Sequence, residues 1–318
     1  MSEQAAVPVR SKQEKQENGY RAWVGPAILA GGAYQDGSGL ANRLGLQLAR
    51  IATLNTTWRL RRRAVDADLK TYVDAYERDG VVMIGDGDFL PPDVFAAVQA
   101  ECRAAYDEGL FKSEVADDNN VIEGNLALKN HKERLAVTWE ALTEHDFLKR
   151  LAAALLRRPS IERMKVEANF MTKSKDAPAP SHLVGTNYLH ADVHYPSGKA
   201  WLYLNDIDEE NGAFVYAKGS QKLRLARLAY EYDVSVRVAK AKREGTMYTK
   251  VPANVVRMPT EKQLRAMRIS ESALCGKANT LVFADVMGFH KRGEFVEGRR
   301  REQIQIQFFD RPAGRRTR

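Results

Sequence analysis

Residues 188–195 of this chain read Tyr188-Leu-His-Ala-Asp-Val-His-Tyr195. The pattern predicts a β-strand over residues 186–192. Successive side chains of a strand point to opposite faces, so His190 and Asp192 should share a face, about 6 to 7 Å apart along the backbone. An imidazole nitrogen and a carboxylate oxygen at that spacing can reach one cation. The stretch therefore predicts a metal-binding strand.

A His-x-Asp pair alone is weak evidence for a metal site, because most such pairs are surface hydrogen-bonding residues. A third candidate ligand, His290, lies far downstream. Two histidines and one carboxylate are the ligand set of non-haem Fe(II) oxygenases, which leaves three coordination positions open. The arginine cluster Arg299-Arg-Arg301 follows His290 and offers a planar guanidinium to a dicarboxylate.

The order of these motifs resembles that of the phytanoyl-CoA dioxygenase family of Fe(II)- and 2-oxoglutarate-dependent oxygenases. The resemblance covers residues 76–309 and begins at Tyr76-Glu-Arg-Asp-Gly-Val-Val-Met-Ile84. One departure is visible: such proteins often read Pro-Gly-Ser-His, where this chain has Lys218-Gly-Ser-Gln221. The shared motifs, in chain order, are His190-x-Asp192, Trp201, Asn211-Gly212, Gly219-Ser220, His290 and the arginine cluster.

The resemblance implies a mainly β fold with flanking helices, the double-stranded β-helix (jelly roll, cupin-like), with iron between its two sheets. The residue pattern agrees, because many short strands separated by turn signals indicate a sandwich or barrel. We expect helices over 66–78, from Pro91-Pro92 to about 106, and over 145–158, with a polar loop over 107–130. Strands are predicted over 163–172, 186–192, 200–205, 213–216, 280–284 and 302–309.

The resemblance also implies the chemistry and its residues. His190, Asp192 and His290 would bind Fe(II), and 2-oxoglutarate would chelate the iron beside a site for O2. The expected reaction is hydroxylation of an unactivated C–H bond with release of succinate and CO2. Trp201 and Asn187 are secondary candidates near the cosubstrate, although a tryptophan in a strand is usually a core residue.

Arg301 is the predicted partner of the distal carboxylate of 2-oxoglutarate. It stands eleven residues after His290, which matches the spacing usual in the family. The strand that follows alternates, so Arg301 shares a polar face with three glutamines, and the apolar face can pack beneath helices. Lys199 is expected on the face opposite Trp201, and His194 is expected as a polar residue at the mouth of the site.

We expect a disordered tail over residues 1–18, an extension over 19–65 and a jelly-roll domain over 66–318 with a helical insertion at about 222–275. The extension should contain an amphipathic, basic helix from Leu44 to Arg63. Such a helix could lie on an anionic membrane. Packing of its apolar stripe on the domain, with arginines near its negative dipole end, is the favoured interpretation. The insertion could be a substrate platform or a cover for a sheet edge.

The composition indicates which classes of substrate and partner the chain could bind. The 318 residues include 49 Lys and Arg against 41 Asp and Glu, a formal net charge of +8, which favours an anionic small-molecule substrate. Two isolated cysteines and the lack of a signal peptide or a long apolar run predict a cytoplasmic protein. Two alternatives are a non-catalytic jelly-roll ligand-binding protein and, less favoured, a nucleic-acid-binding protein, since aromatics are not interleaved with the arginines.

Overall fold

A computed structural model describes residues 39–61, 64–115, 120–176, 187–246 and 258–308. The predicted tail over 1–18, residues 19–38 of the extension, and Arg62 and Arg63 lie outside these described residues. The helices are α1 (Gly39–Arg43), α2 (Leu46–Leu60), α3 (Lys70–Asp79), α4 (Pro92–Asp107), α5 (Ala136–Thr143), α6 (Asp146–Leu155), α7 (Leu225–Arg243) and α8 (Glu261–Met267). The strands are β1 (Val81–Ile84), β2 (Lys112–Val115), β3 (Val121–Ala127), β4 (Met164–Lys173), β5 (Gly198–Tyr203), β6 (Phe214–Ala217), β7 (Glu271–Leu274), β8 (Leu281–Asp285), β9 (His290–Arg292) and β10 (Arg300–Phe308).

These strands form two antiparallel sheets. The larger has the order β1-β8-β5-β10-β4-β3-β2, and the smaller has the order β7-β6-β9. Neighbours in the order are mostly distant in the chain, which is typical of a jelly roll rather than of a meander. The predicted fold class, mainly β with flanking helices, is confirmed.

Strand β10 shows how the sequence sets the two faces of the larger sheet. Ile304, Ile306 and Phe308 belong to a core cluster that includes buried residues of α3, α4 and α6. The residues between them point to the opposite face, since side chains alternate along a strand. On that inner face, Trp201 and Phe214 bring the two sheets into contact. A site between the sheets is thus enclosed by apolar side chains.

Several local predictions were wrong. Residues 107–130 contain β2 and β3 rather than only a loop, and α5 was not predicted. Strand β2 is the edge strand of the larger sheet and β3 is its neighbour, and burial near this edge is incomplete. The described residues of 186–192 form a single β-bridge at His190 instead of a regular strand. The helical part of the insertion ends before β7, which belongs to the smaller sheet.

The basic N-terminal helix is not continuous. It is divided into α1 and α2 at Gly45, whose φ of 87° is left-handed, and Leu44 in the linking turn is 79% exposed. Helix α2 packs on α7, which agrees with the favoured packed-helix interpretation. Its buried face is mainly polar and consists of Gln47, Arg50, Ile51 and Asn55. Membrane contact by this segment stays a prediction, for which sedimentation with anionic vesicles is the test.

Within the described part of the chain, no helix has the length and apolar character needed to cross a membrane.

Candidate metal centre

The backbone brings the three predicted ligands together. His190 and His290 form an antiparallel bridge, with N–O distances of 3.0 and 2.8 Å between their main-chain groups. The backbone N–H of Asp192 donates to the carbonyl of Val286 at 3.0 Å. The segment that carries His190 and Asp192 is therefore fastened to the loop between β8 and β9, immediately before His290. Residues far apart in the chain thus face one another across a short backbone pairing.

The side chains then converge. The Nε2 atoms of His190 and His290 lie 3.4 and 3.5 Å from Oδ1 of Asp192. All three ligand atoms lie within 4.8 Å of one another. Two nitrogens and one carboxylate oxygen at this separation can hold one divalent ion while leaving the opposite side of that ion open.

Main-chain carbonyls set the orientation of both imidazoles. Nδ1 of His190 lies 2.6 Å from the carbonyl oxygen of Tyr188, and Nδ1 of His290 lies 2.9 Å from that of Gly288. A carbonyl oxygen only accepts, so each Nδ1 carries the proton and donates. Each Nε2 then directs its lone pair toward Asp192, which is the form that a metal requires.

Electrostatics favour the metal-binding protonation states. Burial lowers the pKa of His290 and thereby keeps this imidazole neutral near pH 7. Burial alone would raise the pKa of Asp192. The positive charge of the Lys199 ammonium is the largest effect opposing burial, and the pKa of Asp192 lies well below its ordinary value. The site therefore presents a neutral imidazole at His290 and an ionised carboxylate at Asp192.

Lys199 is a site residue that the sequence analysis placed on the wrong face. Residues two apart in a strand share a face, so Lys199 points to the same side of β5 as Trp201. Its Nζ lies 2.7 Å from Oδ2 of Asp192, with both side chains only partly exposed at 21% and 25%. One carboxylate oxygen of Asp192 thus faces the histidines while the other is held by an ammonium. The only feature of the sequence that could have indicated this ion pair is the position of Lys199, seven residues after Asp192.

We expect Lys199→Met to destabilise the metal-free protein, because the carboxylate of Asp192 loses its cationic partner. The expected loss of unfolding free energy is about 1 to 3 kcal/mol, less than for a fully buried pair because both groups reach solvent. Added Mn(II) should stabilise the variant more than the wild type, since the metal then supplies the missing positive charge. Thermal unfolding with and without Mn(II) measures both effects.

The matched control is the double variant Lys199→Met/Asp192→Asn, in which no carboxylate is left uncompensated. It should recover most of the lost stability and gain little from Mn(II). A single variant as stable as the wild type would contradict the role of this ion pair.

Arg301 lies buried on the inner face of β10 and donates from Nη1 to the carbonyl oxygen of Gly212. Its Nε and the Oε1 of Gln303 on the same face have no hydrogen-bond partner among the described residues. Buried polar atoms normally have partners, so these two indicate room for a polar ligand. Burial lowers the pKa of Arg301, which remains a cation at neutral pH because guanidinium is so strongly basic.

The other two arginines of the cluster are placed differently. Arg300 is exposed at the start of β10. Arg299 forms a surface ion pair with Asp208. Of this cluster, Arg301 is therefore the residue that lies buried on the inner face of β10, as the alternation of the strand predicted.

Trp201 and Asn187, the two secondary candidates for the cosubstrate site, lie in different surroundings. Trp201 is buried between the sheets, where its Nε1 donates to Oε1 of Gln305 at 3.2 Å and its ring contacts Phe214. The ring of Phe214 also packs against that of His290, with 5.4 Å between the ring centres. Asn187 lies in the turn just before Tyr188, the residue that orients His190. His194, expected at the mouth of the site, is buried.

Helix α7 of the insertion supports the loop that leads to His290. Arg227 is buried, donates to the carbonyl oxygens of Ser220 and Met287 at 2.6 and 2.7 Å, and pairs with Glu231 in the same helix. Oγ of Ser220 accepts from the backbone N–H of Phe289 at 2.8 Å. The insertion thus helps to position a predicted metal ligand, a role that the sequence did not reveal. The sequence feature that could have indicated this role is the Gly219-Ser220 motif, which Arg227 follows seven residues later.

A model of the family described as phytanoyl-CoA dioxygenase (PhyH) matches residues 76–256, more than half of the chain. The match includes His190 and Asp192 and ends before His290 and Arg301. Among curated protein sequences, none matches this chain at a significant level.

Similar solved structures include the non-haem alpha-ketoglutarate-dependent epimerase SnoN from nogalamycin biosynthesis. A complex of SnoN with Fe3+, alpha-ketoglutarate and nogalamycin RO is 17% identical, with a TM-score of 0.52 over 78% of this chain and 88% of that chain. A second SnoN structure is 16% identical, with a TM-score of 0.50 over 78% and 87%. The carbocyclase SnoK from the same biosynthesis is 18% identical, with a TM-score of 0.49 over 76% and 83%. At these identities the SnoN structures show a shared fold.

Proposed function

The chain belongs to the phytanoyl-CoA dioxygenase family of Fe(II)- and 2-oxoglutarate-dependent oxygenases, and we propose that it hydroxylates an unactivated C–H bond of a small anionic substrate. The observation that carries this proposal is the convergence of His190, Asp192 and His290, with both imidazoles oriented by carbonyls. A binding protein without catalysis has no need for three ligands with open positions. The non-catalytic alternative is disfavoured on that ground.

The chain's own residues have distinct tasks in this proposal. His190, Asp192 and His290 would hold Fe(II), which together with 2-oxoglutarate supplies the oxidising chemistry when bound. Arg301 would grip the distal carboxylate of 2-oxoglutarate, which would complete the hydrogen bonding of its buried Nε. Trp201 and Phe214 would exclude water from the space between the sheets. Exclusion of water would strengthen both the binding of the metal by its ligands and the pairing of Arg301 with the carboxylate.

An anionic substrate is favoured by the net charge of +8. Acyl conjugates, acidic sugars, lipid conjugates and natural products all satisfy this condition. The ligand-bound SnoN structure is described as an epimerase, so the same fold also supports outcomes other than hydroxylation. We retain hydroxylation because it requires only a bound C–H group and oxygen transfer.

The wild-type chain tests this function directly. Under anaerobic conditions with 2-oxoglutarate it should bind one Fe(II) and develop a weak visible charge-transfer band. On exposure to O2 it should convert 2-oxoglutarate to succinate, faster when its substrate is present. Iron binding without any succinate formation would favour the ligand-binding alternative, and absence of both would refute the assignment.

A further inference from the structure

A cleft of about 940 Å³ is lined by the end of α2, by α3, by the end of α6 and by residues 221–224. The predicted metal ligands His190, Asp192 and His290 are not among the described residues that line it. Ligand sites in proteins are usually clefts of about 300 to 1,000 Å³. This cleft is therefore large enough for a small molecule, at a place other than the metal centre.

Two basic segments that are distant in the chain meet at this cleft. Arg59 and Arg61 come from the end of α2, and Lys222 and Arg224 precede α7. None of these four side chains has a hydrogen bond or an ion pair with another described residue. A cleft lined by charges of one sign attracts ligands of the opposite sign. An anion that enters it thus meets four cations whose charges no described carboxylate neutralises.

The acidic residues of the cleft are fewer and are already engaged. Seven basic and three acidic residues line it. Asp66 pairs with Arg150 at 2.9 Å, and Glu77 pairs with Arg157 at 2.6 Å. The third acidic residue, Asp285, is buried. The cleft therefore keeps an excess of positive charge after its internal ion pairs are formed.

Arg157, which follows α6, fixes the end of α2 at this cleft. Its Nη1 donates to the carbonyl oxygen of Arg59 at 2.8 Å. Its guanidinium carbon lies 4.3 Å from the centre of the Trp58 ring, and its Nη2 pairs with Glu77 of α3. One side chain thus connects three helices. The basic end of α2 is held in place before any ligand arrives, which lowers the entropy lost on binding.

Apolar side chains form another part of the wall. They are Leu69 and Val73 of α3, Ala153 and Ala154 of α6, and Leu223. Cations beside an apolar wall suit an anionic group that is attached to an apolar body. A phosphate monoester has up to two negative charges and three strong acceptor oxygens, so it can engage several cations at once.

We propose that this cleft binds a phosphate monoester with an apolar body, at a site separate from the metal centre. The cations of the two basic segments hold the phosphate oxygens, and the apolar wall contacts the attached carbon chain. This inference goes beyond the proposed function and does not depend on it. Two sources supply such a group, a soluble phosphate ester and a phospholipid headgroup. Leu60 and Leu225, which are 76% and 86% exposed beside these cations, would be buried only in a membrane surface.

Two probes of the full-length protein test the site and distinguish its sources. Hexyl phosphate is titrated by calorimetry, and vesicles of phosphatidylcholine with phosphatidic acid are tested by sedimentation. The wild type should bind at least one of them, and more weakly as the salt concentration rises. Binding of hexyl phosphate identifies a soluble ester as sufficient. Binding of the vesicles alone, weakened in Leu60→Ser/Leu225→Ser, identifies the lipid headgroup as the source.

Variants of each basic segment test whether the two segments form one site. Lys222→Gln/Arg224→Gln should weaken binding of the probe roughly tenfold or more, because charge-assisted hydrogen bonds to the phosphate are lost. Arg59→Gln/Arg61→Gln, in the other segment, should cause a similar loss. Both variants should fold like the wild type, since these side chains bond to no other described residue.

The matched control is Lys262→Gln/Arg265→Gln on α8, which removes the same charge from exposed residues that do not line the cleft. It should leave binding of both probes unchanged. The inference is overturned if the wild type binds neither probe, if the control loses as much binding as the cleft variants, or if only one of the two basic segments matters. The proposed function stands in each of these cases, because iron binding and succinate formation are measured separately.

Discussion

Asp192→Ala should lose most of the bound iron and all turnover. Its Oδ1 is the atom that both Nε2 atoms approach, at 3.4 and 3.5 Å, so the remaining two imidazoles provide no anionic ligand. Removing even a group that only supports a metal ligand typically costs about 10- to 100-fold in metal affinity. A ligand that contacts the ion directly should cost more, so we expect a fall of more than about 100-fold. Iron content after anaerobic loading and succinate production measure the two effects.

The loss of iron in Asp192→Ala should not result from unfolding of the protein. In Asp192→Ala the ammonium of Lys199 loses its partner, but its 21% exposure lets the flexible side chain reach water. The metal-free variant should therefore stay folded while it fails to bind iron. Asp206→Ala, which breaks an exposed ion pair with Lys277, is the matched control and should keep both iron and turnover. Full activity in Asp192→Ala would refute the metal site.

The parts of this site that the sequence predicted are those governed by local periodicity. The alternation of glutamines and isoleucines along β10 placed Arg301 on the inner face, because the apolar set must pack under helices. The pair His190 and Asp192 was recognised from its spacing, although its segment forms only a bridge. The spacing remained informative because the pairing with residues 286–290 supplies the extended backbone that a full strand would have given.

The parts that were missed depend on contacts between distant segments. Lys199 reaches Asp192 only because β5 runs beside the segment that holds the metal ligands, and a spacing of seven residues does not show this. The edge strand β2 and its neighbour β3 were missed because strands near a sheet edge keep many polar side chains, which resemble a loop in sequence. Such features follow from topology, which local patterns do not specify.

Arg301→Ala should raise the requirement for 2-oxoglutarate steeply while iron binding survives, since no predicted metal ligand is touched. A guanidinium can hold a carboxylate through two parallel charge-assisted hydrogen bonds, and the Nε of Arg301 has no partner among the described residues to replace that ligand. Losing such a buried pairing costs about 2 to 5 kcal/mol, which lowers cosubstrate affinity roughly 30-fold or more. Titration of succinate formation against 2-oxoglutarate, beside an iron assay, separates the two properties.

The neighbouring arginines provide the controls for this prediction. Arg300→Ala removes an exposed side chain, and Arg299→Ala removes a surface ion pair with Asp208, so neither should alter the 2-oxoglutarate requirement by more than a small factor. An effect of either on the primary substrate alone is compatible with this assignment. If Arg300→Ala instead showed the large cosubstrate defect, the inner face of β10 would be shifted by one residue. The iron site would then stand, and the cosubstrate site would have to move, because Gln303 and Gln305 would face outward together with Arg301.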